Sequence, residues 1–597
     1  MKRTRLLPAL VAATALATAV LPVQPIGAQT NDKATSGRVT LPTPMPSAIL
    51  PAVPSVAPGY RAPDVAPSTA AIAGVTEQPF VGIALNDAIG MALVKNPNLA
   101  VSASNTRVAA YQIVQAKGAF DLNLKVEPTS SYSLQPPQNL FFAGPGFSDI
   151  NQHQSTLTYG LAGQTENGTQ YTAGIQQSRT FNNTGLDAFA PFYPYYLASL
   201  NVSVDQPLLR NAGMNAPKRQ LKVSSINADA SDAQALADSS NTIAQVSDAY
   251  WSLVAAWRNV AIQEDALKEA VLQQQSTERL AKRGAAAPID AVESSTQVAA
   301  FQDNVFSALQ AVSEIQNQLK GLIVANPGDP IWTANLVPTT SVLQLPTQPE
   351  LQTVVHEAMI NRPEVRQAQD QKQIADVNMK FAKNQELPQV DFLVTVQSNG
   401  FAGIPYPLQP SSPLYTAVCN NAQLACPTPP PNTQGQMPWA YHNLWAFTFP
   451  TYNFAILFTQ PLQGNLVRGL KGQASEQQHQ AELLMQGVAE RIGFDARNAL
   501  QAYQSASSRL YAASHARASA DAVYQSEVRR FHNGASTTFL VLQRQVQLNQ
   551  ARGRELLAQT DLDKAVVELQ RVEGTLLSDN GVNLQTLGSK ALEPERP

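Results

Sequence analysis

The chain contains the same module twice. Residues 85–117 read LNDAIGMALVKNPNLAVSASNTRVAAYQIVQAK, and residues 351–383, about 266 positions later, read LQTVVHEAMINRPEVRQAQDQKQIADVNMKFAK. Identical residues recur in the same order, and two shorter repeated segments follow at slightly different spacings. The matching residues are Leu85 and Leu351, Ala92 and Ala358, Pro97 and Pro363, Ala109 and Ala375, Lys117 and Lys383, Gln206-Pro207-Leu208 and Gln460-Pro461-Leu462, and Gly284-Ala285 and Gly534-Ala535. A period this long exceeds that of solenoid repeats and predicts a duplicated half-structure.

The first residues predict export. A basic stretch at residues 1–5 precedes an apolar, alanine-rich run at residues 6–20, and Ala28 offers a small residue for cleavage. This pattern is typical of a secretory signal peptide, predicted for residues 1–28. A transmembrane anchor would need roughly 20 apolar residues, and the short run with its Pro8 disfavours it. Since no later apolar run reaches that length, the exported chain is either soluble outside the inner membrane or inserted as a β-barrel.

Residues 29–80 are rich in Pro, Ala, Ser and Thr and carry almost no periodic apolar pattern. They predict an extended, poorly ordered leader. A tail that spans the peptidoglycan or binds a partner is the alternative for this segment.

Composition and cysteine content limit the possible partners and cofactors. Charged residues make up 14% of the chain and the net charge is -3, so the sequence shows no basic patch for nucleic acid. Cys419 and Cys426 lie close together in a proline-rich stretch, which in an oxidising compartment predicts one disulfide that closes a short loop. A metal site is the alternative, but it would need further ligands, and His442 is the only histidine nearby. We expect no cofactor.

Each module shows the order helix, strand, strand, long helix, helix. The first long helix is predicted to begin near Pro217, a residue favoured in the first helical turn, and to end before Gly284. At 1.5 Å per residue it would be about 100 Å long, and the two shorter helices of the module would match it when stacked end to end. The predicted helices are residues 86–117, with a local break at Pro97, 217–282 and 288–324, then 351–383, 466–531 and 538–576.

Apolar residues in the first long helix and in the helix after it follow a spacing of three and four. This spacing predicts coiled-coil packing of the two helices. A plain helical bundle core explains it equally well, so the spacing alone does not indicate a channel. The residues are Ile243, Val246, Tyr250, Leu253, Trp257, Val260, Leu267 and Val271, and then Val298, Phe301, Val305, Ala308, Val312, Ile315, Leu319 and Leu322.

Four short segments alternate apolar and mostly polar residues, namely residues 122–127, 200–205, 390–397 and 452–459. This period of two is typical of membrane barrel strands with a wet interior, although a half-buried soluble sheet would show it too. Neighbouring aromatics are candidates for a membrane-interface girdle: Tyr193, Tyr195, Tyr196, Trp445 and Phe447. Four strands cannot close a barrel, whereas three copies would supply twelve. The pattern therefore predicts an oligomer, with a trimer as the simplest closed solution.

Taken together, the chain resembles the TolC-type outer-membrane efflux protein family. The resemblance covers residues 85–577 and rests on the LNDAIGMALVKNP opening, the QPLLR segment at residues 206–210, the RPEVRQAQ segment at residues 362–369 and the turns at Gly284 and Gly534. It implies a mainly α-helical chain in a homotrimer, with a twelve-stranded β-barrel in outer-membrane lipid joined to a long periplasmic α-helical barrel. It also implies a passive exit duct for a tripartite efflux or type I secretion system, reached through a periplasmic adaptor from an inner-membrane transporter.

The resemblance also divides the chain. Residues 81–330 would form the first outer-membrane efflux protein repeat, residues 331–350 a linker, residues 351–577 the second repeat and residues 578–597 a C-terminal tail. The turns around Arg283 and Gly284, and around Gly534, would form the periplasmic tips where the channel closes.

The resemblance further implies four candidate entrance residues: Asp290, Leu540, Gln543 and Phe531. Family members often carry acids shortly after the second turn, where this chain has Leu540 and Gln543, while Asp290 keeps the acid of the first module. Because carboxylate rings select cations and apolar rings gate by sterics or dewetting, we expect an entrance closed by Leu540 with little cation selectivity. Leu540 as a coiled-coil core residue is the alternative.

Two segments read as insertions. Residues 157–175 alternate on both sides of Glu166-Asn167-Gly168 and predict a β-hairpin with an Asn-Gly turn, and residues 401–442 predict a long loop. Both are expected on the extracellular side, because both connect successive strands of a module.

Other classes of protein fit the sequence less well. The histidines are scattered and no glycine-rich phosphate loop follows a strand, so an enzyme is not expected. A soluble periplasmic coiled-coil scaffold or adaptor agrees with the helices but not with the strands. A general diffusion porin would need many more strands and far less helix.

Overall fold

Long helices dominate the structure, a computed structural model. It describes residues 80–136, 149–183, 192–324, 326, 328–340, 350–406, 410, 415, 419–420 and 428–581. All of them belong to one compact unit, Pro44–Pro597. The predicted signal peptide, all but the last residue of the predicted leader and residues 582–597 of the predicted tail lie outside the described residues.

The helices repeat in length as well as in order. The long helix has 67 residues in the first half and 68 in the second, and the helix after it has 36 in each. The described helices are α1 (Leu85–Lys95), α2 (Pro97–Lys117), α3 (Ala216–Lys282), α4 (Pro288–Ile323), α5 (Leu351–Asn361), α6 (Pro363–Gln385), α7 (Met437–Trp445), α8 (Asn465–His532), α9 (Thr538–Glu573) and α10 (Leu576–Asp579). None of them is both long and apolar enough to cross a membrane.

Proline breaks the first helix of each half at the same place. Pro97 and Pro363 occupy the first turns of α2 and α6, where their missing N–H is not needed. The preceding residues, Asn96 and Arg362, close α1 and α5 by donating their backbone N–H groups to Ala92 and Ala358 at 2.9 and 3.1 Å. The predicted break at Pro97 is confirmed, and the same break also divides the single helix predicted for residues 351–383.

A small parallel sheet, which the sequence patterns did not indicate, ties the start of the first half to its end. Strand β1 (Phe80–Ile83) pairs with β6 (Asn335–Pro338), so a strand occupies part of the predicted inter-repeat linker. Tyr250 of α3 holds this sheet, since its hydroxyl donates to the Ile83 carbonyl at 3.1 Å. Trp257 donates its ring N–H to the Leu336 carbonyl at 2.8 Å. Most of the predicted α3 and α4 seam residues pack in the same core. Phe301 and Val298 pack in a separate cluster with Ala266 and Ala270, and Val271 belongs to neither cluster.

The main sheet has six strands in the order β2-β3-β4-β5-β7-β8, and all neighbours are antiparallel. The prediction of four strands per chain is therefore wrong. The number of twelve strands for three copies, expected from this count and from the family resemblance, does not follow from a six-stranded sheet. The strands are β2 (Asn123–Gln135), β3 (Ile150–Gln164), β4 (Gln170–Asn182), β5 (Phe192–Pro207), β7 (Gln389–Pro405) and β8 (Phe449–Thr459).

The two additional strands are the hairpin predicted around Asn167 and Gly168. The hairpin is confirmed, but its turn does not lie at the predicted extracellular end of the sheet. Glu166 and Asn167 accept hydrogen bonds at 3.0 and 3.1 Å from Asn215 and Gly213, which immediately precede α3. The turn therefore lies at the helical end of the sheet, next to the start of α3.

The elements are arranged side by side as an open strip. Near the sheet, the helices in contact follow the order α2, α3, α6, α8, and farther from it the order α4, α3, α9, α8. The strands are ordered across the strip in the same direction as the helices, since β2 directly follows α2 in the chain and β8 directly precedes α8. One long edge of the strip is therefore formed by α2, β2 and α4, and the other by β8 and α8.

Candidate channel entrance and wall

The two predicted tip turns have nearly identical backbones. At the end of α3, Gly284 donates its N–H to the Ala281 carbonyl and Ala285 donates to the Leu280 carbonyl, at 3.0 and 2.8 Å. Gly534 and Ala535 make the equivalent bonds at the end of α8, also at 3.0 and 2.8 Å. These are the paired bonds of a Schellman motif, which requires a left-handed residue. Gly284 and Gly534 meet that requirement with φ of +73° and +74°.

The four entrance candidates lie near the tips but in different surroundings. Asp290 is half-buried, and its carboxylate accepts the Ala287 N–H at 3.2 Å, so it caps α4. Leu540 and Phe531 are half-buried, whereas Gln543 is exposed. Arg283 and Gly284 are exposed at the first turn. The structure of one chain thus places all of these residues at one end of the strip and leaves their roles as predictions.

Three exposed apolar side chains at the tips were missed by sequence reasoning. Ile289 and Val292 of α4 are 61% and 58% exposed, and Phe539 of α9 is 59% exposed. Ile289 and Phe539 occupy equivalent positions, five residues after Gly284 and Gly534. The repeat alignment could have revealed them, because both copies keep a large apolar residue at the first exposed turn of a helix.

Polar side chains join the two repeats along α3 and α9. Arg552 pairs with Asp265 at 2.9 Å, and Asn549 donates to the Gln263 side chain at 2.9 Å. Gln545 donates to the Ala266 carbonyl, also at 2.9 Å. These bonds fix the register of the two antiparallel helices between the tips and the sheet.

A second pair of buried charged side chains lies farther along the same two helices. Arg258 of α3 and Asp563 of α9 are each only 3% exposed. Burial lowers the pKa of Arg258 and raises the pKa of Asp563 to about 6, although the Gln559 amide and the Arg258 charge oppose the latter shift. The low-dielectric surroundings therefore favour the neutral carboxyl at mildly acidic pH.

We predict that Asp563 makes stability fall as the pH rises from about 4 to about 6. In this window the folded chain keeps the proton on Asp563, whose pKa is about 6, while the unfolded chain has released it. The full stabilisation is present below about pH 4 and is lost above about pH 6. Urea unfolding of wild type and Asp563→Asn across this range checks the prediction. The free energy of unfolding of the wild type minus that of the variant should decrease as the pH rises. A difference that does not change with pH would contradict the prediction.

The sheet has one apolar and one polar face, which continue across all six strands. Facing rows follow from the strand register. An apolar row runs through Leu124, Leu161, Ala173, Val202, Val396 and Tyr452, and a mostly polar row runs through Asn123, Ala162, Thr172, Ser203, Thr395 and Asn453. The hairpin strands obey the same alternation as the four predicted strands. Such a sheet can separate an apolar phase from water.

Helix α7, which was not predicted, lies across part of the apolar face. Its Ala440 and Leu444 are fully buried against Tyr196, Ala198 and Ala402. Ser398 donates to the Leu444 carbonyl at 2.6 Å.

The helix approaches the strand closely at one point. A Cβ added to Gly400 of β7 would lie 1.8 Å from the Ala440 carbonyl oxygen. Only glycine therefore allows α7 to lie this close to the sheet. Among the aromatics predicted to form a girdle, Tyr196 is covered by α7, whereas Trp445 at the helix end is 61% exposed.

Among the described residues, no group of three or more His, Cys, Asp or Glu side chains could hold a metal ion. Cys419 is disulfide-bonded, while Cys426, the only other cysteine of the chain, lies outside the described residues. The predicted pairing of these two residues stays a prediction.

The fold is similar to that of solved outer-membrane channels. No family model and no curated protein matches the chain. The outer membrane channel CmeC of Campylobacter jejuni is 14% identical, with a TM-score of 0.54 over 85% of this chain and 90% of that one. The open state of the Neisseria gonorrhoeae channel MtrE is 16% identical, with a TM-score of 0.52 over 82% of this chain and 89% of that one. The outer membrane protein VceC of Vibrio cholerae is 13% identical, with a TM-score of 0.54 over 82% and 96%.

The chain has the TolC-type outer-membrane efflux protein fold. The resemblance inferred from the repeated sequence is confirmed at this level. Within the TolC-type fold, this chain has a six-stranded sheet, a helix that lies on the sheet and a Schellman turn at the end of each long helix.

Proposed function

We propose that three copies of this chain close into an outer-membrane channel. The sheets would form a membrane β-barrel, and the helices would form a second barrel in the periplasm. The channel would be a passive exit duct of a tripartite efflux or type I secretion system, which receives substrates from an inner-membrane transporter through a periplasmic adaptor. The support is the TolC-type fold together with the open strip of a single chain.

The observation that carries this proposal is the uncovered apolar surface along both edges of the strip. On the first edge, Val108 and Tyr111 of α2 are 53% and 63% exposed. On the second edge, Phe494 of α8 is 61% exposed. Exposed apolar edges of this length favour association, and sheet edges that are not blunted pair with another strand.

The two edges are also complementary in direction. Because the sheet has an even number of antiparallel strands, β2 and β8 run in opposite directions. The β8 edge of one copy can therefore add β2 of the next copy as another antiparallel strand. This head-to-tail contact closes a ring under rotational symmetry.

The mass of the species extracted from outer membranes tests the proposal. Native mass spectrometry in detergent should give three mature chains. A Val108→Glu/Tyr111→Glu variant, which places charges on the α2 edge, should lose the trimer, whereas Asn105→Glu, which places one charge at an exposed polar position of α2, should keep it. A monomer that needs no detergent would contradict the channel and return the chain to the class of soluble periplasmic scaffolds.

At the entrance, we expect Leu540 to close the pore sterically, with little selection for cations. An acid added at an exposed position near Leu540 should therefore create selectivity that the wild type lacks. Gln543→Glu should shift the reversal potential, measured in planar bilayers under a salt gradient, toward the equilibrium potential of the cation. Asp290→Asn should leave the reversal potential unchanged. The asparagine side chain keeps an oxygen that can accept the Ala287 N–H. Strong cation selectivity in the wild type that disappears in Asp290→Asn would contradict the Leu540 gate.

A further inference from the structure

The hairpin β3–β4 forms part of the sheet itself. Strand β3 pairs with β2 from Gln135↔Ile150 to Asn123↔Ala162 and with β4 from Gln152↔Asn182 to Gln164↔Gln170. Strand β4 in turn pairs with β5 from Gln170↔Asp205 to Thr180↔Tyr195. Every residue of 152–162 in β3 and of 170–180 in β4 therefore has a partner on both sides.

The contacts of the hairpin also match those of a wall segment. On the polar face, the Thr172 and Ser203 hydroxyls of β4 and β5 lie 2.7 Å apart. On the same face Gly160 and Gly174 let β3 and β4 approach closely, since a Cβ on Gly160 would lie 2.6 Å from Gly174 Cα. At the helical end, Thr169 donates to the Gln206 side chain at 2.6 Å. The hairpin is thus anchored both to its neighbours and to the junction with α3.

Adding two strands preserves the conditions for closure. Six strands, like four, is an even number, so the edges still run in opposite directions and a β8–β2 contact between copies remains antiparallel. Each copy contributes six strands, and three copies contribute three times six. Barrel diameter grows roughly linearly with strand number. A barrel of eighteen strands would therefore be about 1.5 times as wide as a barrel of twelve strands and would enclose roughly twice the area.

We propose that the trimer of this chain closes an eighteen-stranded outer-membrane barrel, in which the partner of each β2 edge is the β8 edge of a second copy. The proposal rests on the proposed channel function and goes beyond it. In such a channel the membrane segment does not limit the cargo, because barrels of 16–18 strands leave an open aqueous passage. The helical entrance alone then sets the width of what can pass.

Cross-sections of the full-length trimer in lipid nanodiscs by electron cryo-microscopy test the strand number. We expect eighteen strands in the wild type. A variant lacking residues 150–182, in which residue 149 is joined directly to residue 183, should show twelve strands and about two-thirds of the diameter. A trimer with twelve strands in the wild type, and the hairpin outside the wall, would overturn this inference while leaving the proposed function intact. A ring of two copies, or a monomer, would overturn both.

Disulfide cross-linking covers the case in which the deletion fails to fold. Thr172→Cys/Ser203→Cys should form a bond within one chain in native outer membranes, since these residues face each other on β4 and β5. Thr129→Cys on β2, combined in turn with Thr451→Cys, Asn453→Cys or Ala455→Cys on β8, should give covalently linked trimers for at least one pair. If the β8–β2 bonds form but the Thr172–Ser203 pair stays reduced, the hairpin does not belong to the wall.

Discussion

Replacing Arg517 with methionine should lower the free energy of unfolding by about 3–5 kcal/mol, because it leaves a buried carboxylate without its partner. Arg517 of α8 donates to Glu555 of α9 at 2.9 Å, and the Glu555 side chain is only 1% exposed. The methionine keeps much of the apolar volume of the arginine stem. Urea unfolding followed by circular dichroism at 222 nm measures the change.

The same two helices provide a matched control. Arg509 and Asp561 also pair at 2.9 Å, but their side chains are 60% and 43% exposed. Arg509→Met should therefore cost no more than about 1 kcal/mol. A double variant, Arg517→Met/Glu555→Leu, should recover most of the loss, since it removes both charges of this pair. Equal losses in Arg517→Met and Arg509→Met would show that burial of Glu555 does not decide the effect.

Gly400→Ala should detach α7 from the sheet and destabilise this region by about 3 kcal/mol, at the upper end of the range for overpacked cores. The added methyl group would lie 1.8 Å from the backbone oxygen of Ala440, and 2.8 Å from the backbone nitrogen of Leu444. Since both atoms belong to the helix backbone, no side-chain rotation relieves the clash. Limited proteolysis should cut near α7, and the tryptophan emission of Trp439 and Trp445 should shift.

Gly90→Ala serves as the control for this substitution. Gly90 lies in α1, and a Cβ added there meets no atom within 4 Å. Alanine should be neutral or stabilise the helix by up to about 1 kcal/mol, because glycine has the lower helix propensity. If Gly400→Ala were as resistant to protease as the wild type, this would contradict the close packing of α7 against β7.

Local signals predicted the helices well. The first long helix was expected at residues 217–282 and is found at Ala216–Lys282, because Pro217 in its first turn and Gly284 just past its end are local signals. The end of α9 was expected at residue 576, but Gly574 with φ of +76° ends the helix at Glu573. A glycine at this position is a local signal for the end of a helix.

Pairings between distant segments were less predictable. The alternation of residues 157–175 predicted a hairpin, but no local pattern tells whether a hairpin enters a wall or projects as a loop. Strands β1 and β6 have four residues each and are about 250 residues apart, too short to give a periodic signal. The entrance depends on other copies of the chain, so neither the sequence nor one chain assigns the lining role of Leu540.

The two halves of the chain match in the helices but not in the sheet, and this difference sets the number of equivalent surfaces. The first half contributes β2 to β5 to the sheet and the second only β7 and β8, whereas the long helices have 67 and 68 residues. A ring of three chains would have nearly sixfold symmetry around its helices and only threefold symmetry around its wall. A partner that binds the helices would therefore meet two sets of three similar sites, and the stoichiometry of binding would depend on how well it distinguishes them.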